Sequence, residues 1–492
     1  MGLIIRQSIK GTFVTYIGAF IGFLTTLYII PKFVGDELYG LTRVLVEAGI
    51  LFAAIFQLGT SQSVMRFFPY FKNKEKNNNG FFFYMISIIS IGFLIFVPVF
   101  LLLKDPVSSY FTEKSPMFVD YLYWVIPLTF FIIYWQTFEV YSSVLLRIAI
   151  PKLIREVIIR LLVIVVYMAY ALGYIGLDGF VIGFVSVYGI VMLLMFFYVS
   201  KIGPISLRHD KRFITPELKK SYFSYSSIIV LGALGGTLAN KVGLFMVSGM
   251  EGLALTGVYS VAFYMISIVE IPSRSITAIS APLAAEALKK GDLLTANNLY
   301  KKVSINQLLI GSVIFLLIWT NIDNIYNIIP NGESYSAGKW VVLFIGIAKL
   351  IEISLGFGFH LISFSKYYRW NLYFTFLSAG TSILFNYLLI PRFGISGSAM
   401  ATASSCLIFY LFQQWLVFVK IKANPYSMGT VKIFLMIAVV LTLNYFLPDI
   451  DNAFIDIIYR SAIIGVVMFL MVYFLNISNE IKHTINKIIK RQ

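Results

Sequence analysis

Ionisable side chains interrupt this chain where an apolar environment tolerates them least. Glu47, Glu139, Arg160, Lys241, Glu270, Arg274, Lys349, Glu352 and His360 fall inside long hydrophobic runs, and Arg43 lies near the start of one. A charge at mid-bilayer costs at least roughly 2.5–3.5 kcal/mol on insertion scales, so it normally faces a hydrated cavity or an opposite charge. Glu270 and Arg274 are spaced i, i+4 with Pro272 between them. They share one helix face, and the proline bends that helix. Lys349 and Glu352 are spaced i, i+3. Each pair has two readings: it neutralises itself, or it lines a cavity and offers its cation to an anionic ligand. The substrate-binding candidates are therefore Arg43, Glu47, Glu139, Lys241, Glu270, Arg274, Lys349 and Glu352. Glu47, Glu270, Glu352 and His360 are the groups that could couple a proton or cation. His360 lies two turns beyond Glu352 on a similar face, although a lone histidine on an apolar helix is more often a hydrogen-bonded core residue. Arg66 and Arg147 sit close enough to an edge to snorkel.

The elements that must hold these groups are helices. Of 492 residues, 59% are hydrophobic and 13% charged, well above the roughly 45–50% apolar content of soluble domains. The apolar runs are about 20 residues long, enough to cross the hydrocarbon layer, and they do not alternate as barrel strands do. Fourteen spans are expected, at 11–31, 41–65, 80–103, 119–146, 153–173, 178–200, 222–248, 254–285, 303–322, 338–364, 369–390, 395–419, 428–447 and 453–475.

A net charge of +16 invites a nucleic-acid reading, but the positions of the charges oppose it. With the N-terminus inside, 28 of the 39 Lys and Arg fall on cytoplasmic segments or their flanks. That asymmetry is the positive-inside pattern and places both termini in the cytoplasm. The basic stretch between spans six and seven holds Lys201, Arg208, Lys211, Arg212, Lys219 and Lys220. One cysteine, Cys406, excludes an intramolecular disulfide and a cysteine metal site. No nucleotide-loop or zinc-helix motif occurs, so no catalytic residue, metal or cofactor is expected.

Three short segments recur in register. Gly18–Gly22 returns at Gly232–Gly236, Gly40 at Gly257, and Gly176–Gly179 at Gly394–Gly397, with offsets of 214, 217 and 218. Each half then has six spans entering from the same side, which implies a pseudo-two-fold axis along the membrane normal. The expected organisation is an N-terminal half at 1–203, a cytoplasmic linker at 204–220, a C-terminal half at 221–424, and two extra helices with a tail at 425–492. Close helix approach is assigned to Gly18 and Gly232, and helix ends near the outer surface to Pro31 and Pro391.

The stretch Asn386-Tyr-Leu-Leu-Ile-Pro391-Arg-Phe-Gly394-Ile-Ser-Gly397, with Pro31-Lys-Phe-Val-Gly35, Tyr39-Gly40, Asn240-Lys-Val-Gly243, Gly257-Val-Tyr259, Arg66-Phe-Phe-Pro69 and Ala281-Pro282, resembles the multidrug/oligosaccharidyl-lipid/polysaccharide (MOP) exporter superfamily. Within it, the chain is most similar to the lipid-linked oligosaccharide flippases of polysaccharide biosynthesis. The resemblance implies twelve repeated spans plus two, and a cavity in which spans two and eight present basic residues to the substrate. It also implies a bacterial cytoplasmic-membrane flippase for an undecaprenyl-pyrophosphate-linked oligosaccharide, partnered by a polysaccharide polymerase and glycosyltransferases. Two other functions stay open. A multidrug or cation antiporter of the same superfamily would need a carboxylate cavity, yet span one has no charge. A membrane polymerase or acyltransferase would need a sizeable external loop, and the stretches at 104–118 and 323–337 are short.

Overall fold

The structure is a computed structural model that describes residues 2–73, 77–206 and 213–477; Arg208, His209, Lys211, Arg212 and His483 lie outside them. Inside a bilayer the backbone has no partner but itself, and the chain answers with helices; the described residues contain no strand. The long helices are α1 (Gly2–Leu24), α2 (Asp36–Phe56), α3 (Thr60–Phe71), α4 (Phe81–Phe111), α5 (Val125–Val144), α6 (Ile159–Ala171), α7 (Leu177–Ile202) and α8 (Pro216–Glu251). They continue with α9 (Leu253–Ser267), α10 (Ile271–Lys289), α11 (Leu293–Trp319), α12 (Lys339–Leu355), α13 (Trp370–Leu416), α14 (Met428–Phe446) and α15 (Ala453–Phe474).

Among the described residues, ten helical stretches are long and apolar enough to cross a membrane, or eleven with α12 and its bent continuation Phe357–Ser363. Three further considerations bring this to about the fourteen expected. Helix α13 is two spans, as shown below. Helix α5, 20 residues long, is a span in its own right, with Glu139 inside it. The run 149–171 is one span interrupted by a π-helical turn at Ile154–Ile158.

Contacts group the chain into two compact units that divide after Gly257. The boundary lies later than the one expected from the repeat, so α8 packs with the first unit. In that unit α1 runs into a π-helical stretch, Thr25–Val34, that contains Pro31. Pro31 therefore does not stop the helix; the wider π turn carries it, and Gly35 ends the stretch at φ 85°, ψ 168°. Gly252, 217 residues later, has nearly the same backbone at φ 97°, ψ 173° and precedes α9 as Gly35 precedes α2. Only glycine adopts that conformation without strain.

One turn further on, the two copies of the motif touch. A Cβ on Gly40 would lie 2.0 Å from the carbonyl oxygen of Leu253, and a Cβ on Gly257 would lie 2.0 Å from that of Asp36. The contact is reciprocal, since Leu253 stands to Gly257 as Asp36 stands to Gly40. Reciprocity of this kind is the mark of a two-fold relation between the motifs. Nearby, the Ser115 hydroxyl donates to the carbonyl of Ser248 at 2.6 Å. The other recurrent glycines do not behave alike. Gly18 packs against Glu156, whose carbonyl oxygen would be 2.6 Å from an added Cβ, whereas Gly232 has nothing within 4 Å. Close approach at Gly232 is thus not observed.

In the second unit the 47-residue α13 contains a residue outside helical geometry, Gly394 at φ 54°, ψ −137°. The Ser398 hydroxyl donates to Asn386 Oδ1 at 2.7 Å. Twelve residues of straight helix would separate these groups by about 18 Å, so the chain reverses between them. The reversal rests on Gly394, and Pro391 lies inside the helical stretch before it instead of ending it. The extra helices α14 and α15 are tied by the buried Arg460. Its Nε donates to Asp456 Oδ2 at 2.6 Å and its Nη1 to Asn444 Oδ1 at 3.1 Å; Nη2 pairs with Asp449. Asn324 from the short helix Ile322–Ile328 also donates to Asp456.

The glycine contact gives a direct test. Gly40→Ala or Gly257→Ala forces a methyl group onto backbone, and overpacking typically costs 1–3 kcal/mol. Each should lower the thermal midpoint of the detergent-purified protein by several degrees in a fluorescence melt. Gly232→Ala, with open space around it, should leave the midpoint unchanged or raise it.

Candidate functional site

In the first unit a buried carboxylate accepts two cations. Glu47, 2% exposed, sits mid-way along α2. Arg43, one turn earlier on α2, bonds its Oε1, and Lys241 from α8 approaches its Oε2 at 2.8 Å. Tyr39, Tyr167 and Tyr188 stand within electrostatic reach of the guanidinium. The Nε of Arg43 is buried and has no hydrogen-bond partner among the described residues. Two positive charges against one negative leave this group with a net charge of about +1.

The second unit holds a balanced chain of charges. Arg274 Nη2 donates to Glu270 Oε1 at 2.9 Å. Lys349 Nζ donates to the other oxygen of Glu270 at 3.2 Å and to Glu352 Oε2 at 2.8 Å. The ammonium also lies 5.9 Å from the centre of the Phe263 ring. Just before Pro272, where a bend was expected, a 3-10 turn, Ile268–Glu270, joins α9 to α10. The groups differ in exposure: Lys349 and Glu270 are mostly covered, while the Arg274 side chain is 72% exposed. Arg274 therefore keeps most of its side chain exposed while Glu270 holds one guanidinium nitrogen, Nη2.

Glu139 belongs to neither cluster. Its carboxylate accepts from Arg155 Nη1 at 2.8 Å, and Arg155 reaches Glu156 Oε1 through Nε at 3.1 Å and Nη2 at 3.0 Å. Arg160 continues the network, donating from Nη1 to the Gly18 carbonyl at 2.5 Å and from Nη2 to Glu156 at 3.4 Å. The π-helical turn Ile154–Ile158 carries Arg155 and Glu156. Sequence reasoning missed both, because they lie at a span boundary; the signal was an adjacent Arg-Glu pair facing a carboxylate at the end of the preceding span. His360 is also separate. The path bends by 43° between α12 and Phe357–Ser363, so the face it was expected to share with Glu352 does not continue. Its ring lies among Phe357, Phe359 and Phe364, with centres 5.9–6.2 Å away.

The clusters differ in what a substitution should cost. Breaking a buried ion pair from one side typically costs 3–5 kcal/mol, because the remaining charge is stranded. Glu47→Gln strands Arg43 and Lys241 together and should lower stability by about 3 kcal/mol; adding Lys241→Met should recover part of the loss. Arg274→Ala, at an exposed pair, should change stability by less than about 1 kcal/mol. Thermal melts of the purified variants separate these outcomes.

No protein-family model matches the chain. An uncharacterized membrane protein of Methanocaldococcus jannaschii is 26% identical over 309 residues, covering 61% of this chain and 60% of that protein. The match thus spans about three fifths of that relative's length. Solved structures match far more of the fold. The lipid II flippase MurJ in an inward closed conformation aligns with a TM-score of 0.72 at 14% identity, over 96% of this chain and 100% of that one. An inward-facing multidrug resistance MATE family transporter of the MOP superfamily gives 0.61 at 14% identity, over 82% and 94%. A MOP superfamily transporter from Pyrococcus furiosus, described as having a binding pocket of reversed polarity, gives 0.54 at 14% identity, over 86% and 96%. The chain is a multi-pass membrane protein that shares the fold of these solved flippase and transporter structures.

Proposed function

We propose that this protein is a flippase that moves an anionic, lipid-linked oligosaccharide across the membrane. The observation that carries this reading is the cluster at Arg43, Glu47 and Lys241, in which two cations share one buried carboxylate and Arg43 Nε is left unpartnered. A phosphate oxygen is a natural acceptor for such a group, since charge and hydrogen bonding act together. Arg274, exposed and pre-positioned by Glu270, is the second cation offered to the substrate. The substrate we infer is an undecaprenyl-pyrophosphate-linked oligosaccharide. Its glycan would cross a hydrated cavity while its tail stays in lipid, as one six-helix half rocks against the other. The halves in this proposal are those of the repeat, 1–203 and 221–424, with a cytoplasmic linker between them. The setting is a bacterial cytoplasmic membrane, with a polysaccharide polymerase and glycosyltransferases as neighbours. Glu47, Glu270 and Glu352 would couple an ion; His360, apart from them, would have to act alone.

A second reading is a cation antiporter, and it draws on the likeness to the MATE transporter. An organic cation would be repelled by a net positive cluster, which weighs against it. One deletion strain separates the two. Loss of the protein should trap lipid-linked oligosaccharide on the inner face and leave sensitivity to cationic dyes unchanged. Unchanged glycan export with increased dye sensitivity would transfer the assignment to the antiporter. In the same strain, Arg274→Ala should reduce surface polysaccharide at least tenfold with protein abundance near normal. A fall in abundance that matches the fall in activity would make Arg274 structural.

Topology is tested separately. Reporter fusions at Gln492 and within 205–218 should both report cytoplasm, as the charge asymmetry requires. An external signal from either would reverse the direction assigned to transport.

A further inference from the structure

A groove of about 400 Å³ opens on the first unit, and no residue of the charge clusters lines it. Three helix ends form it. Helix α3 contributes Phe67 and Phe71 from its last two turns, α4 contributes Phe81 and Tyr84 from its first turn, and α8 contributes Lys219 and Tyr222 from its first two turns. Phe71 and Phe81 meet as tilted rings with centres 4.9 Å apart, and Phe67 and Tyr222 do so with centres 5.3 Å apart. A helix rises 1.5 Å per residue, so all these side chains lie within about 10 Å of the helix ends. That is the depth of the headgroup region, where aromatic side chains concentrate.

The wall is almost wholly apolar, and Lys219 is the charged residue that lines it. Lys219 is exposed and forms no ion pair among the described residues. A second groove, of about 220 Å³, provides a contrast. It lies at the other end of α4, and its lysine, Lys104, is already engaged, with Nζ 4.8 Å from the centre of the Tyr123 ring. Of these two grooves, the first pairs its apolar wall with a cation that is in no ion pair among the described residues.

The geometry points to a site for an anionic glycerophospholipid. One acyl chain lies along the aromatic wall, and the phosphodiester meets Lys219 at the rim. A single lysine balances the single charge of a phosphodiester. The diphosphate of the proposed transport substrate carries more charge than one lysine answers, so the occupant is a resident bilayer lipid and not the cargo. The site is independent of the transport reading. On the topology above it faces the cytoplasmic leaflet, where anionic lipids are drawn to basic groups at roughly 1 kcal/mol per lysine.

Native mass spectrometry of the full-length protein tests this, with phosphatidylglycerol and phosphatidylcholine of matched chains as probes. Phosphatidylglycerol should be retained about fivefold more than phosphatidylcholine, the ratio that one lysine near the surface supplies. Lys219→Gln should abolish the preference while leaving retention of phosphatidylcholine intact. Leu218→Trp, which fills the groove from α8, should reduce retention of both. Equal retention of the two lipids, or a preference that survives Lys219→Gln, would overturn the site. Displacement of phosphatidylglycerol by equimolar undecaprenyl pyrophosphate would also overturn it, by identifying the groove as a cargo site.

Discussion

Two helices that meet with no side chain between them set the geometry of the first unit. Gly40 on α2 and Gly257 at the start of α9 each place bare backbone against the carbonyl one turn before the other. Close backbone contact gives a large gain in dispersion within a bilayer, where burial of apolar surface drives little. It also fixes depth. Arg43 lies one turn and Glu47 two turns beyond Gly40 on the same helix. Once the glycine contact is made, these two groups have no freedom to move along the membrane normal. Gly35 and Gly252 bring the chain into the contact with matched backbone angles, so the entry to each helix is as constrained as the contact.

The charges follow a common logic in each unit. None of the carboxylates in the three clusters is left without a cation, as a low-dielectric interior demands. What differs is the balance. The groups around Glu270 and around Glu139 are neutral in sum, and their pairing explains why the helices tolerate them. The group around Glu47 is not neutral, and its excess lies on arginine and lysine. Stability alone does not require that excess; a single cation would have satisfied Glu47.

Much of the fold was legible because hydrophobic length is a one-dimensional property. Spans, the all-helical class and the glycine turns follow from runs, offsets and the special freedom of glycine. The hairpin at Gly394 was readable from Asn386 to Gly397 without knowledge of any partner. Local pairs were also visible, since Glu270 with Arg274 and Lys349 with Glu352 are one turn apart. Partnerships across the chain were not. Nothing in the spacing of Glu47 and Lys241 announces an ion pair, and Arg155 gives no sign of bridging Glu139 to Glu156. Proline was over-read: Pro31 and Pro391 sit inside helical stretches because the π turn and the following glycine take up the constraint.

The π-helical turn at Ile154–Ile158 has a consequence for how this chain can vary. Such a turn is an α-helix with one residue inserted. Removing any one residue within it would close the bulge and restore ordinary helical phase, so every side chain from Ile159 onward would keep its direction. In an ordinary α-helical stretch, a single deletion rotates all that follows by about 100°. This segment is therefore a place where chain length can change by one without scrambling the bundle. What such a deletion could not preserve is the aim of Arg155 and Glu156. The insertion is kept in phase with the network it serves, and a shortened descendant would retain its helices while losing the grip of Arg155 on Glu139.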